Sequence, residues 1–180
     1  MNHFYLDASA LGKRYVVEVG TPLINHLFDT VPATRMTALI ITLGEIISIL
    51  VRRRNAGDIS QRAFQQAMVE FRNEVVDAAD FSLQAVSNDL VMASLPLIEQ
   101  YALNATDALI LCAALQVAEL RRSEGDELVL VASDARLLRA AQGAGLLTWS
   151  PEEGTQVDLD ALIGADDKEQ GDKGTRKLRK

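Results

Sequence analysis

Hydrophobic and polar positions change rhythm repeatedly along this chain, and each change marks an element. Residues 3–6 form a short apolar run that stops at Asp7, which reads as a strand ending in an acid. Residues 8–16 then read as a helix. Thr21-Pro22 is a helix start with Pro at the first position, and Leu23, Ile24, Leu27 and Phe28 give that helix an apolar face, suited to core packing or to a partner segment. Residues 33–36 read as a second short strand. From Thr37 onward Leu39, Ile40, Leu43, Ile46, Ile47, Leu50 and Val51 recur at helical spacing. Arg52, Arg53 and Arg54 suit the negative end of that helix, and Asn55-Ala56-Gly57 stops it. Further helices are expected over residues 61–78 and from Asn88 toward Tyr101, with a strand near 80–83 between them.

Asn104-Ala105-Thr106-Asp107 opens another helix, which continues through an apolar run and ends near Arg121 to Gly125. Residues 128–132 are wholly apolar and rich in Val and Leu, the pattern of a parallel strand buried on both faces. Ser133-Asp134 ends it. A helix over 135–142 is stopped by Gly143 and Gly145, and residues 146–149 read as a last strand. Strands alternating with helices predict an α/β fold, a mostly parallel sheet with helical crossovers. The pattern fits one domain, residues 1–164. From 165 the composition turns polar and then basic, and residues 165–180 read as a disordered tail.

Composition narrows the functional classes. Hydrophobic residues make up 48% and charged residues 24%, enough for a core and ordinary for a water-soluble domain. Aromatics are only 5%, so stacking bases on an aromatic platform is not the main device. The net charge of −7 argues against a module that grips nucleic acid through its overall field. Cys112 is the single cysteine, which excludes an intrachain disulfide and a Cys-based zinc site and suits a reducing, cytoplasmic setting. The first residues carry no basic segment followed by an apolar stretch, so no signal peptide is expected, and no apolar run has the length of a membrane span. His3 and His26 lie in separate segments and read as structural.

Four acids stand out against their surroundings. Asp7 and Asp134 each end an apolar strand, and ligands of open parallel sheets bind at strand carboxyl ends. Either one also suits a helix cap. Glu45 is the only charge between Met36 and Val51, on a helix apolar nearly all round, which predicts burial; a buried carboxylate needs a cation, hydrogen bonds or a raised pKa. The bland alternative is a salt bridge to an arginine. Asp107 is the only charge between Tyr101 and Gln116 and also serves as a first-turn acid. Were the four to converge, repulsion would favour a hard divalent cation, Mg²⁺ or Mn²⁺, which can acidify a bound water and steady charge on a phosphoryl group. That chemistry is phosphodiester hydrolysis.

At these residues the chain resembles the PIN-domain nucleases. Phe4-Tyr5-Leu6-Asp7-Ala8-Ser9 is similar to their first motif, and Thr42-Leu43-Gly44-Glu45 to their second. Thr106-Asp107-Ala108 resembles the third, and Ala132-Ser133-Asp134-Ala135-Arg136, with Gly145-Leu146 behind it, the fourth. The four come in order across residues 3–149. The resemblance implies a three-layer α/β fold, a mostly parallel central sheet flanked by helices, and a Mg²⁺- or Mn²⁺-dependent ribonuclease with Asp7, Glu45, Asp107 and Asp134 as metal-binding catalytic acids. It implies supporting roles for Ser9 and Ser133 in orienting a carboxylate or a water. Many small members are VapC-like toxins, commonly homodimeric and held inactive by a cognate antitoxin. Three departures are the length of residues 58–103, the extra polar tail, and the lack of a further acid close after Asp134, which leaves the metal count open. Arg136 and Arg139 are the best candidates for phosphate contact, ahead of Lys13, Arg14 and Arg52 to Arg54. Two alternatives stand beside the toxin: a housekeeping RNA-processing nuclease without an antitoxin, and a PIN-like interaction protein that does not cut. An aspartyl phosphotransferase ranks last, because Ser9 stands where a second Asp is needed and no Walker A motif occurs.

Overall fold

The computed structural model describes residues 1–164; the tail expected over 165–180 lies outside the described residues. The chain alternates strands and helices: β1 (Asn2–Leu6), α1 (Ala8–Leu11) with a 3₁₀ turn, α2 (Thr21–Thr30), β2 (Met36–Leu39), α3 (Ile41–Ala56), α4 (Gln61–Phe71), β3 (Ser82–Gln84), α5 (Asn88–Tyr101), α6 (Ala105–Ser123), β4 (Glu127–Val131), α7 (Ala135–Gly143), β5 (Leu147–Trp149) and α8 (Gln156–Ile163). All pairings among the strands are parallel, in the order β3-β2-β1-β4-β5.

Why β1 lies at the centre can be read from its side chains. Phe4 and Leu6 enter the core on one face, and Tyr5 enters the core on the other. β4 repeats the alternation, with Val129 and Val131 on the first face and Leu128 and Leu130 on the second. A strand apolar at every position is stable only with helices on both sides. Residues of α2, α3, α4 and α8 cover the first face, and residues of α5, α6 and α7 the second, which makes three layers. The His3-to-Val131 region pairs in register, Leu6 beside Val131, so β1 and β4 end level. The edge strands β3 and β5 are only three residues long.

Several sequence expectations change in detail. The second strand lies later than expected, because residues 33–35 form a 3₁₀ turn and Leu39 belongs to β2 rather than to the following helix. The first helix is cut short at Leu11, where a 3₁₀ turn takes over. The helix α3 is not buried all round: Thr42, Ile46 and Leu50 face the core, while Gly44, Ile47 and Ser48 are exposed. Only one of its sides meets the sheet, and the other borders a cleft. The expected helix over 61–78 is α4 continued by a π turn over Arg72–Val76. The helix α8 was not foreseen. The face of α2 is used for packing, since Ile24 and Leu27 are fully buried. Among the described residues no single helix is long and apolar enough to cross a membrane.

One glycine fixes how the last loop meets the first. Gly20 precedes α2 with φ of 90°, and a Cβ there would stand 2.6 Å from the Pro151 carbonyl oxygen. Gly20→Ala should therefore cost roughly 1–3 kcal/mol, read by chemical denaturation, because both the backbone angle and the neighbouring backbone oppose a side chain. An alanine variant as stable as the parent would mean that the loop yields freely.

A candidate acidic active site

The strand order places the site. The chain builds outward from β1 through β2 to β3, then returns to the other side of β1 with β4. The order therefore reverses between β1 and β4, the crevice where open parallel sheets bind ligands. Asp7 follows β1 and Asp134 follows β4 after two residues, so both leave the sheet at the same end. Glu45 reaches the crevice from the second turn of α3, which follows β2. Asp107 reaches it from the first turn of α6. Asp7, Glu45, Asp107 and Asp134 line one cleft of ≈ 600 Å³, together with Ser9, Ser48 and Arg52.

Each acid is held by a local device. Asp7 caps α1, its Oδ2 accepting the Ser9 N–H at 3.0 Å and the Ser9 hydroxyl at 2.5 Å. The Ser9 oxygen in turn accepts the Ser133 N–H at 2.8 Å, tying the ends of β1 and β4 together. Asp134 caps α7 through Oδ1, which accepts the N–H groups of Arg136 and Leu137. Asp107 Oδ2 accepts the Asn104 side-chain amide at 2.8 Å, while Asn104 caps the Asp107 N–H. Capping and facing the cleft are thus compatible: a cap uses one carboxylate oxygen and aims the group. Glu45 has no such device, and the salt bridge considered for it does not form among the described residues; its Oε2 is buried and has no hydrogen-bond partner.

The electrostatics agree with the crowding. Burial pushes the Glu45 carboxyl up to about 7, helped by the charges of Asp7 and Asp107. Burial and the charges of Asp134 and Asp7 raise Asp107 to about 6, with Arg136 opposing. Asp7 is 7% exposed, and burial raises its pKa against the lowering effect of its Ser9 and Ala8 hydrogen bonds. Among the described residues no three His, Cys, Asp or Glu side chains stand in ligating geometry. The acids face one another across the cleft but remain apart, as like charges do.

The other candidates divide. Arg136 is exposed and close enough to Asp107 to act on its titration. Arg139, one turn on, lines a different cleft with Gln142, Thr148 and Trp149. Lys13 is buried between Glu18 and Glu152, and Arg14 is held by Glu74 and Asn25, so neither is available to a phosphate. His3 pairs with Asp126 and His26 with Asp160, both away from the acids. Sequence reasoning gave Arg52 too little weight. Ile41, Glu45, Ser48 and Arg52 all line the cleft, a stripe at offsets of four, seven and eleven along α3, and that spacing is visible in the sequence. Glu152 was missed because it lies on a loop with no periodic pattern.

Comparisons with known proteins concur on the fold. No protein-family model matches the sequence, and no curated protein matches it. Solved structures do. FitAcB from Neisseria gonorrhoeae aligns with a TM-score of 0.61 at 11% identity, covering 84% of this chain and 99% of that one. Mycobacterium tuberculosis VapC20, described as a sarcin–ricin loop cleaving toxin, aligns with a TM-score of 0.55 at 17% identity over 80% of this chain and 96% of that one. A toxin–antitoxin complex from Klebsiella pneumoniae aligns with a TM-score of 0.50 at 18% identity, over 82% and 96%. The fold is the PIN-like, VapC-like α/β fold expected from the sequence.

The raised carboxyls make stability depend on pH. A carboxyl whose pKa is higher in the folded protein contributes stability that is fully present below the unfolded value, about 4, and is lost as pH rises through the folded value. For Asp107 and Glu45 those folded values are about 6 and about 7. The protein free of divalent cations should therefore melt at falling temperature as pH rises from about 4 to about 7, and Glu45→Gln should flatten that slope. His3, lowered chiefly by burial, works in the opposite direction in the same window, so the difference between parent and variant is the quantity to measure. An equal slope in both proteins would mean that neither burial nor the neighbouring acids raise the Glu45 carboxyl.

Proposed function

We propose that this chain is a Mg²⁺- or Mn²⁺-dependent endoribonuclease that hydrolyses RNA phosphodiester bonds, and that it is the toxin of a toxin–antitoxin pair. One observation carries the reading: Asp7, Glu45, Asp107 and Asp134 surround a single cleft at the topological switch point, with a buried Glu45 oxygen that the protein leaves unpaired.

The donor set fits such a cation. All its atoms are carboxylate oxygens, the ligands Mg²⁺ and Mn²⁺ prefer. After capping, Asp134 keeps Oδ2 and Asp107 keeps Oδ1 without a hydrogen bond among the described residues, and Glu45 Oε2 has no partner. When bound there, the cation would supply Lewis-acid stabilisation of the phosphoryl group and a more acidic water. The chain's own residues do the rest. Ser9 fixes the rotation of the Asp7 carboxylate, and the Ser133 N–H fixes Ser9. Glu45 keeps its proton to near neutrality beside the other acids, so filling the site with positive charge favours its release. Arg136 stands beside Asp107, where an incoming phosphate would meet it.

The toxin role draws on likeness in fold to VapC20 and to the Klebsiella pneumoniae toxin–antitoxin complex. It brings with it a small antitoxin protein as partner and a homodimer as the working form. Cytoplasmic action suits the single, buried, unpaired Cys112.

Cleavage of a structured RNA pool by the purified protein tests the reading. Cutting should require Mg²⁺ or Mn²⁺ and stop in EDTA. Asp7→Asn should reduce it on the order of 10²-fold or more. Ser9→Ala, which frees the Asp7 carboxylate without removing it, should cost about tenfold. Folded protein that cuts nothing in either metal would overturn the nuclease. The toxin role has its own test: expression should arrest growth, and a small protein encoded beside the gene should relieve the arrest. Harmless expression of active enzyme would remove that role and leave the nuclease.

A further inference from the structure

The acidic cleft has a neighbour. A second cleft of ≈ 390 Å³ shares Ala8, Ser9, Ile49 and Arg52 with it, so the two are continuous and Arg52 stands at the seam. The remaining clefts do not qualify. The one at Arg139 shares no lining residue with the acids, and the one at Arg14 is built around the Arg14–Glu74 ion pair.

Charge in the second chamber is almost wholly matched. Lys13 Nζ lies 2.9 Å from Glu18 and 2.6 Å from Glu152, with its side chain 3% exposed. Arg53 lies 2.8 Å from Glu18 and 3.1 Å from Asp58. A phosphate would have to displace one of these carboxylates to enter. Arg52 is different: it is exposed and makes no ion pair or hydrogen bond among the described residues. The seam therefore offers a free cation, and the chamber behind it offers a nearly neutral space.

We propose that the second chamber is a base-binding subsite: it takes the base of a nucleotide adjoining the scissile phosphate, while Arg52 holds the phosphate on that side. The proposal rests on the nuclease reading and adds the direction in which the RNA runs. Arg52 follows Glu45 by seven residues on α3, about 10 Å along the helix axis, a spacing that suits a phosphate neighbouring the reacting one. The volume lies within the range of small-molecule sites. Ala8, Gly12, Ile49 and Ala56 offer apolar surface to the face of a ring. A side chain at Gly12 would occupy that space, its Cβ standing 3.5 Å from Ile49 Cδ1. At the rim, Asp58 and Glu152 keep lone pairs beyond those their cations use. Carboxylates accept from exocyclic amino groups, so the subsite favours adenine, cytosine or guanine over uracil.

The test uses a labelled single-stranded RNA that the parent protein cuts, remade with one abasic nucleotide at each position in turn. Arg52→Gln and Ala56→Trp are the variants; both positions are exposed and neither belongs to the acidic set. In the parent, one abasic position next to the cut should lower kcat/KM about tenfold. In Ala56→Trp, which fills the chamber, the intact RNA should already be cut about tenfold more slowly and the abasic position should cost nothing more. Arg52→Gln should raise KM and, in anisotropy titrations without divalent cation, lower the slope of log affinity against log salt by about 0.7, with Arg52→Lys restoring it. Abasic effects that ignore position, or that persist in Ala56→Trp, would overturn the base subsite. An unchanged salt slope would overturn the role of Arg52. A parent that cuts no RNA would overturn the nuclease reading instead, and the two failures are thus separable.

Discussion

The site depends on one shared hydroxyl. Ser9 Oγ donates to the Asp7 carboxylate and accepts the Ser133 N–H, so a single oxygen spans the carboxyl ends of the two central strands. Sheet hydrogen bonds set the register of β1 and β4 only as far as Leu6 and Val131, with Asp7 N–H adding one more bond to Val131. Beyond that point the chains diverge into helices, and without a link the acids would splay. The hydroxyl supplies that link. It also satisfies a backbone N–H that water would otherwise have to reach in a half-buried crevice.

Around this link the fold arranges repulsion rather than removing it. Three acids are raised by burial and by one another, and Arg136 opposes the shift at Asp107. The neighbouring wall is organised in the opposite way. There Glu152, Lys13, Glu18, Arg53 and Asp58 alternate in sign and bond in sequence, joining the last loop, the first helical turn, α3 and the loop after it. Lys13 holds Glu152 below the usual carboxylate range, with help from the Ser133 hydroxyl. Of these side chains only Lys13 is buried, and separating it from both carboxylates would leave an uncompensated charge in the interior. The wall is therefore well placed to be rigid, while the acids beside it remain strained by their mutual charge.

Much of this was legible in the sequence, and the reasons are specific. The acids Asp7 and Asp134 stand out because each closes a short stretch dominated by large apolar side chains, a pattern that suits a doubly covered strand. Glu45 and Asp107 stand out as single charges in long apolar stretches. What the sequence hid was three-dimensional. It marked Leu39 as helical because a Leu on a short strand and a Leu on a helix face look alike when the strand lasts four residues. It implied that α3 was buried on every side, because an apolar residue bordering a cleft reads the same as one in the core. It could not pair Lys13 with Glu152, since 139 residues separate them and neither sits in a periodic segment. Helix α8 escaped because its eight residues make only about two turns, too short a run for a periodic face to emerge.

The way the acids are anchored also explains their chemical identities. Asp7 folds back onto the second N–H of its own helix and Asp134 onto the second and third of its own, a loop that closes with one methylene and opens with two. Glu45 starts in the body of a helix, set back from the crevice, and needs the second methylene to arrive. Side-chain length in this site therefore acts as a ruler laid against the backbone: carboxylates rooted at the rim are short, and the one rooted behind it is long. Drift between aspartate and glutamate, usually counted as a mild exchange, would here misplace charge by a full bond length and, at Asp7 or Asp134, release a helix end at the same time.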